Sequence, residues 1–341
     1  MIKKIRLQNF RNLKDQVFEF SPRTTVIVGP NASGKTNLLE SIYLISTGKS
    51  FKASLEIEMI KEKENFARVK GLTDENLKLE IILSKESHKN FLVNGVSKRQ
   101  IDFVGNLKTV LFAPQDLDLV TSSPSLRRKF LDNVLSLSDR EYRRAIISYE
   151  KGLRARNKLL FRIREEELQR TQLLFWNQLL IKNGDYISTR RHEFIEFVND
   201  VKNEKINDYN LEYDRSVISE KRLETYAKEE IAAANTLVGP HRDDFVFKEV
   251  DRNLAHFGSR GEQRMIVLWL KLAELSYLEK KTGDLTTQAG KPTLLLDDIF
   301  SELDEKHRGI VFDISKNQQT IITTADPDFV IDMKDIQKIQ F

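Results

Sequence analysis

The sequence predicts an α/β fold in which a mixed sheet core and an antiparallel sheet are interrupted by an inserted α-helical domain. Three observations support this prediction. A β-branched run at Val26-Ile27-Val28 leads through a glycine-framed loop into a helical pattern. Residues 55–99 alternate between apolar and charged positions, as antiparallel strands do. Residues 293–298 are a continuous apolar run that closes on two carboxylates, and 319–326 predict another buried strand that ends in hydroxyls, as in buried parallel sheets. Residues 124–235 contain few glycines and repeat apolar residues at helical spacing, which favours a helical insertion.

The order of these elements predicts three segments. We expect residues 1–120 and 236–341 to be the two halves of one α/β domain, and 121–235 to be the helical insertion between them. Two alternating patterns, 5–10 and 16–20, begin the first half and predict an antiparallel pair of strands.

Composition limits the possible classes of protein. The 341 residues are 40% apolar and include no cysteine, which excludes disulfides, thiolate metal sites and a cysteine nucleophile. No apolar run approaches the roughly 20 residues of a membrane span, and the N-terminus does not resemble a signal peptide. We therefore expect a soluble, cytoplasmic protein. The net charge is only +4, but residues 127–170 contain thirteen Lys and Arg against seven Asp and Glu. This basic stretch is either a surface that binds a polyanion or a solvated helical face.

The most specific motif is the loop from Gly29 to Thr36, which matches G-x-x-x-x-G-K-[ST] between a strand and a helix. Gly29 and Gly34 are expected to adopt positive φ and to let the backbone approach a phosphate. The N–H groups of the loop and the helix dipole form an anion site, Lys35 can reach the β- and γ-phosphates, and the Thr36 hydroxyl can bind Mg²⁺. The predicted nucleotide-binding residues here are Gly29, Pro30, Asn31, Ala32, Ser33, Gly34, Lys35, Thr36 and Asn37.

Two carboxylates and a glutamine extend this site. Asp297 and Asp298 end an apolar run, so we expect Asp297 to hold Mg²⁺ and Asp298 to orient or deprotonate the attacking water. Gln115 follows another apolar strand, and its carbonyl oxygen suits Mg²⁺ or that water. The predicted catalytic residues are therefore Asp298, Gln115 and Lys35, and the predicted Mg²⁺ ligands are Thr36, Gln115 and Asp297.

A second anion site is predicted at Ser259-Arg260-Gly261-Glu262, just before a helical pattern from Met265 to Leu278. Within one subunit this site should lie too far from the phosphate loop, so we expect it to meet the γ-phosphate held by a second subunit. The prediction is an ATP-dependent, head-to-tail homodimer with two nucleotides at its interface. A simple helix N-cap is the alternative.

Together these motifs resemble the RecF family, bacterial DNA replication and repair proteins of the ABC/SMC-type ATPase group. The resemblance covers essentially the whole chain. The stretches that carry it, besides the phosphate loop, are Phe10-Arg11-Asn12, the Q-loop Leu111–Leu117, Ser123–Asp132, Val238–Asp244, the signature motif Ser259–Arg264, Asp297-Asp298 and the D-loop Ser301–Asp304.

The resemblance implies an ABC/SMC-type P-loop ATPase head with an inserted helical lobe. It implies that Arg11 and Asn12 contact the nucleotide, and it places Thr324 where transporter ATPases carry a switch histidine. Arg260 replaces the usual glutamine of the signature motif, where it can either tighten an ATP-bound dimer or face solvent.

The resemblance also implies an ATP-modulated DNA clamp that acts in repair. ATP would close two copies over double-stranded or gapped DNA, slow hydrolysis would reopen them, and RecR/RecO-type mediators would help to load a recombinase. DNA would contact either residues 127–170 or the concave face between the two heads, mainly through its backbone. His241-Arg242-Asp243-Asp244 is either a salt-bridge cluster or a link between the nucleotide and DNA faces.

Three other classes are weighed against this one. A transporter ATPase is disfavoured by the missing switch histidine at Thr323-Thr324 and by the charged insertion. A metabolic kinase leaves the motif at Ser259 unexplained. A nuclease-associated relative or an SMC-like protein is disfavoured because this sequence shows no second acidic metal cluster beyond the ATPase residues and no long coiled-coil heptads.

Overall fold

The computed structural model divides the chain into two compact units. The first unit contains residues 1–117 and 267–341, and the second contains 118–266. The structure describes residues 1–201, 208–281, 291–303, 305–326 and 336–341. Asp304, the last residue of the predicted D-loop, lies outside the described residues.

The first unit contains a six-stranded antiparallel sheet in the order β2-β1-β4-β5-β6-β7. Alternate residues of its strands are buried, so one face of the sheet covers the core. The pattern therefore matches the antiparallel region predicted between residues 55 and 99. The strands are β1 (Ile2–Phe10), β2 (Leu13–Glu19), β4 (Phe66–Thr73), β5 (Lys78–Ser84), β6 (Asn90–Val93) and β7 (Val96–Lys98).

A five-stranded parallel sheet forms the other layer of the first unit, in the order β14-β3-β13-β12-β8. Its strands are β3 (Thr24–Val28), β8 (Thr109–Phe112), β12 (Thr293–Asp297), β13 (Thr320–Thr324) and β14 (Ile336–Gln340). Every residue of β3, β8, β12 and β13 is buried, which explains why their sequences consist mainly of aliphatic residues and threonines. The carboxyl ends of parallel strands share one edge, and that edge carries the predicted site.

Helix α1 (Lys35–Thr47) leaves β3 and buries Leu38, Leu39, Ile42 and Ile45 in the core of the first unit. The other helices of this unit are α2 (Gln100–Phe103), α11 (Glu305–Ser315) and the part of α10 (Arg260–Lys280) that follows residue 266. Because α10 begins at Arg260 and not at Met265, the signature motif forms its first turn.

The second unit is mainly helical. Its helices are α3 (Asp118–Thr121), α4 (Pro124–Ser138), α5 (Arg140–Glu166), α6 (Leu174–Asp200), α7 (Glu220–Thr225), α8 (Ala227–Ala233) and α9 (Leu254–Phe257). The long helices α5 and α6 pack closely at Gly152, where a Cβ would lie 2.5 Å from Leu179 Cδ2. No helix in the part of the chain that the structure describes is long and apolar enough to cross a membrane.

The second unit also contains a small antiparallel sheet that the helical prediction did not include. Its strands are β9 (Tyr209–Asp214), β10 (Asp244–Glu249) and β11 (Arg252–Asn253). The unit extends past residue 235, where the sequence prediction ended the insertion, because β10 pairs with β9 over six residues.

The polar quartet at His241–Asp244 lies in a buried network of the second unit. Asp243 is fully buried and accepts hydrogen bonds from Arg191 Nη1 (3.0 Å) and from the backbone N–H of Ser216 (2.8 Å). Asp244 forms a two-pronged ion pair with Arg127. Burial lowers the pKa of His241 to about 4, so the ring is neutral near pH 7. These contacts favour the salt-bridge interpretation of the motif.

Candidate nucleotide-binding site

The phosphate loop follows β3 and enters α1, so its backbone lies at the carboxyl edge of the parallel sheet. Lys35 is buried, and its ammonium donates hydrogen bonds to the carbonyl oxygens of Gly29 (2.7 Å) and Pro30 (2.9 Å). Because an ammonium has three donors, one remains for a phosphate oxygen. Lys35 is thus held inside the loop by two backbone carbonyls.

The two framing glycines have different structural roles. Gly34 adopts φ of 117°, as expected, and a Cβ there would also lie 2.9 Å from the Asn12 amide. The expectation of positive φ at Gly29 is wrong. A Cβ at Gly29 would instead lie 2.8 Å from the Phe341 Cβ, so the residue is constrained by space. Ala32, with φ of 63°, is the second left-handed position of the loop.

One buried polar atom of the loop lacks a partner. Ser33 Oγ is buried and, among the described residues, accepts or donates no hydrogen bond. Asn12 supports the loop beside it, because its side chain donates to the Ser33 carbonyl (3.0 Å) and accepts from Asn37 (2.9 Å). An unsatisfied hydroxyl within an anion-binding loop fits a phosphate group.

The predicted Mg²⁺ ligands Thr36 and Asp297 are in direct contact. The Thr36 hydroxyl donates to Asp297 Oδ1 (3.0 Å), and Thr323 donates to the same oxygen (2.7 Å). Hydroxyl and carboxylate oxygens are hard donors that suit Mg²⁺. The described ranges contain no cluster of three or more Cys, His, Asp or Glu side chains suited to a metal.

Thr324 does not share this arrangement. Its hydroxyl is bonded to the carbonyl oxygen of Asp326 (2.8 Å), whereas its neighbour Thr323 reaches Asp297. Successive side chains of a strand point to opposite faces, which explains the difference. The structure thus brings Thr323, which the sequence analysis did not select, into the site.

Asp298 and Gln115 lie at the same sheet edge. Asp298 adopts φ of 52°, and its backbone N–H donates to the Thr323 carbonyl (3.2 Å). Gln115 is exposed in a short turn, Pro114–Leu117, directly after β8, and the end of β8 pairs with the end of β12. A left-handed backbone conformation is uncommon for a residue other than glycine, so Asp298 is a position worth testing for function.

Arg11 forms a wall of the site but already has a partner. It adopts φ of 53° and forms a two-pronged ion pair with the buried Glu40 (2.7 and 2.9 Å), and it donates to the Glu58 carbonyl (2.7 Å). Asn12 and Asn37 continue from Arg11 toward the phosphate loop. Arg11 is therefore fixed in place and retains two N–H donors for a ligand.

An open groove of about 550 Å³ lies beside Arg11, Asn12 and Asn37. The sequence analysis missed the rest of its lining because these residues form no motif. An excess of cations and two isoleucines suit an anionic ligand that also has an apolar part. The other lining residues are Lys52, Ile57, Glu58, Ile60, Lys61, Glu62, Lys63 and Lys85.

The signature motif forms a capping box in the second unit. The Glu262 carboxylate accepts from the Ser259 backbone N–H (2.7 Å), and the Glu262 backbone N–H donates to Ser259 Oγ (3.3 Å). Arg252 bonds to both Glu249 and Glu262 and, together with Ser259, lowers the pKa of Glu262 to about 2. Because Ser259 Oγ accepts the capping bond, its own O–H remains a donor for a phosphate.

Comparison with known proteins matches the whole chain. A family model described as the RecF/RecN/SMC N terminal domain matches residues 1–341. The DNA replication and repair protein RecF of Lachnoclostridium phytofermentans is 35% identical, over 97% of this chain and 94% of its own. Two solved structures of the recombination mediator protein RecF in the RecFOR pathway, one with ATPrS and one with ATP, have TM-scores of 0.88 and 0.87. Each is 33% identical to this chain. The match with the ATPrS structure covers 99% of this chain and 96% of the RecF chain, and the match with the ATP structure covers 96% and 92%.

Proposed function

Because the chain belongs to the RecF family of DNA replication and repair proteins, we propose that it acts as an ATP-dependent clamp on DNA. The chain is an ATPase of this family, with the α/β architecture of an ABC/SMC-type head. The observation that carries the proposal is the contact of Thr36 and Thr323 with one oxygen of Asp297, directly after the phosphate loop.

In this proposal the phosphate loop holds the triphosphate. Lys35 donates its third N–H to a phosphate oxygen, Ser33 satisfies its hydroxyl there, and α1 directs its positive end at the charge. Thr36 and Asp297, with Gln115, would hold Mg²⁺, which neutralises phosphate charge when bound. The groove beside Arg11 and Asn12 takes the ribose and base.

Hydrolysis requires an oriented water. Gln115 and Asp298 flank the carboxyl ends of β8 and β12, so we assign them to hold the attacking water, with Asp298 accepting its proton. An aspartate reaches less far than a glutamate, so slow hydrolysis is expected. Slow hydrolysis would keep the clamp closed for a limited time and then reopen it.

A second copy of the chain would complete the nucleotide-binding site. Ser259 of that copy donates its free O–H to the γ-phosphate, and the first turn of α10 contributes its backbone N–H groups. Closure of two copies would then depend on ATP. The closed dimer would bind double-stranded or gapped DNA and cooperate with RecR/RecO-type mediators in the cytoplasm.

Light scattering with ATP or ADP tests the proposal. We expect a shift from monomer to dimer with ATP alone. Lys35→Met should abolish the shift by removing nucleotide binding, whereas Asp298→Asn should prolong the dimer by slowing hydrolysis. Ser259→Arg is the matched control for the second-copy contact, because it should bind ATP and remain monomeric. A wild-type chain that stays monomeric with saturating Mg·ATP would contradict the proposal.

A further inference from the structure

A buried ionic cluster lies in the first unit, outside the residues assigned above. Lys271 and Glu274 are on α10, and Asp116 is in the turn after β8. Lys271 Nζ lies 3.1 Å from Asp116 Oδ1 and 3.3 Å from Glu274 Oε2, and Lys271 and Glu274 are almost fully buried. Tyr43 of α1 is close enough to interact electrostatically with all three. Burying several ionisable groups together is unfavourable unless they are well paired, so the cluster calls for an explanation.

Asp116 determines the shape of the turn that presents Gln115. Its Oδ2 accepts from the Ala113 backbone N–H (2.8 Å), and its own backbone N–H donates to the Ala113 carbonyl (2.9 Å). Its other carboxylate oxygen is held by Lys271. Each oxygen of Asp116 therefore has a defined partner, and one of these partners is the ammonium on α10.

We propose that Lys271 is a positioning residue for ATP hydrolysis: it holds Asp116, and through Asp116 the turn that presents Gln115 to the nucleotide. This inference rests on the proposed role of Gln115. Although burial opposes the charge on Lys271, the carboxylates of Asp116 and Glu274 raise its pKa above the usual value, so the ammonium stays charged. The charge is what anchors the turn.

Glu274 gives the ammonium a second acidic partner; burial raises the pKa of Glu274 to about 7, and the charge of Lys271 opposes that rise. In the described part of the chain its Oε2 has no hydrogen-bond partner and has only the ion pair with Lys271. If the Gln115 turn shifts toward a nucleotide, Lys271 can remain paired with Glu274. The turn can then move without leaving a buried ammonium unpaired.

A double-mutant cycle with Gln115 tests this inference. We expect Lys271→Met to lower kcat for ATP by about tenfold or more and to change the Kd for ATP by less than about threefold. In a Gln115→Ala background, Lys271→Met should cause little further loss, because both changes remove the same contribution. Lys271→Arg should restore most of kcat, since the arginine keeps the charge.

Asp116→Asn provides a second variant if Lys271→Met folds poorly. The asparagine keeps an acceptor for the Ala113 N–H but lacks the charge that Lys271 holds, so it should show the same loss and the same dependence on Gln115. The inference would be overturned, and the proposed function would stand, if kcat is unchanged in both variants. The same holds if their loss of kcat multiplies with the loss caused by Gln115→Ala. A wild-type chain that hydrolyses no ATP would overturn the proposed function as well.

Discussion

Buried cations serve different purposes in the phosphate loop of the first unit and in the helices of the second unit. In the first unit, Lys35 of the phosphate loop donates to two backbone carbonyls and keeps a third N–H for a ligand. In the second unit, Arg127, Arg156 and Arg191 are buried, and each is paired with a carboxylate of the same unit. Neither local sequence charge nor burial separates these two cases, because Lys35 is buried as well. They differ in their partners, which are backbone carbonyls for Lys35 and carboxylates for the three arginines.

The difference changes how the basic stretch at 127–170 is understood. Arg127 and Arg156 belong to it, yet both stabilise the fold of the second unit. The exposed cations Lys151, Arg154 and Lys158 lie three or four residues apart on α5 and therefore share one face of the helix. This exposed row is one surface of the stretch that a polyanion can reach.

The largest expected effect distinguishes Arg156 from Arg154, two residues apart on α5. Arg156 donates to Glu230 (2.6 Å), Thr236 and Asn177, and Glu230 is fully buried. Arg156→Gln should lower the free energy of unfolding of the second unit by about 3–5 kcal/mol, because a buried carboxylate loses its partner. Arg154→Gln should change it by less than about 0.5 kcal/mol. Urea denaturation measures both.

Equal stability losses for the two variants would contradict the assignment of Arg156 as structural and Arg154 as a surface cation.

A smaller effect is expected on DNA binding. Changing Lys151, Arg154 and Lys158 together to glutamine should weaken binding to a gapped duplex by about tenfold at low salt. It should also reduce the slope of log K against log[salt] by roughly 1–3, since each phosphate contact releases counterions. Fluorescence anisotropy at several salt concentrations measures both quantities.

Arg162→Gln is the control on the same helix, because Arg162 is paired with Glu166 (3.0 Å). We expect it to change affinity by no more than about twofold. If the triple variant binds DNA as tightly as the wild type, DNA does not contact this face of α5 and must contact another surface.

Local motifs account for what the sequence could predict. The phosphate loop has a fixed spacing, and the apolar run before Asp297 indicates a buried strand that ends at the same sheet edge. These features are encoded within about ten residues. The predicted family and the predicted α/β class, which both depend on these local motifs, are confirmed. The capping box at Ser259 and Glu262 was also available as an S-x-x-E pattern.

Long-range contacts account for what the sequence could not predict. The constraint on Gly29 comes from Phe341, at the other end of the chain. Strand β9 follows a long helical pattern, and it is paired with β10, which comes after the predicted end of the insertion. The groove residues Ile57 and Lys61 come from a short 3-10 helix and the segment after it, neither of which carries a motif. In each case the deciding partner is distant in sequence.

Mixing two defective variants tests most directly whether two copies complete each nucleotide site. Lys35→Met lacks nucleotide binding, and Ser259→Arg lacks the contact made to a second copy's phosphate. Alone, neither variant should dimerise with ATP. A mixed dimer has one intact site, so fluorescence energy transfer between the two labelled variants should appear with ATP and disappear with ADP. If the mixture gives no transfer at saturating Mg·ATP while the wild type does, Lys35 and Ser259 do not act on one nucleotide from two copies.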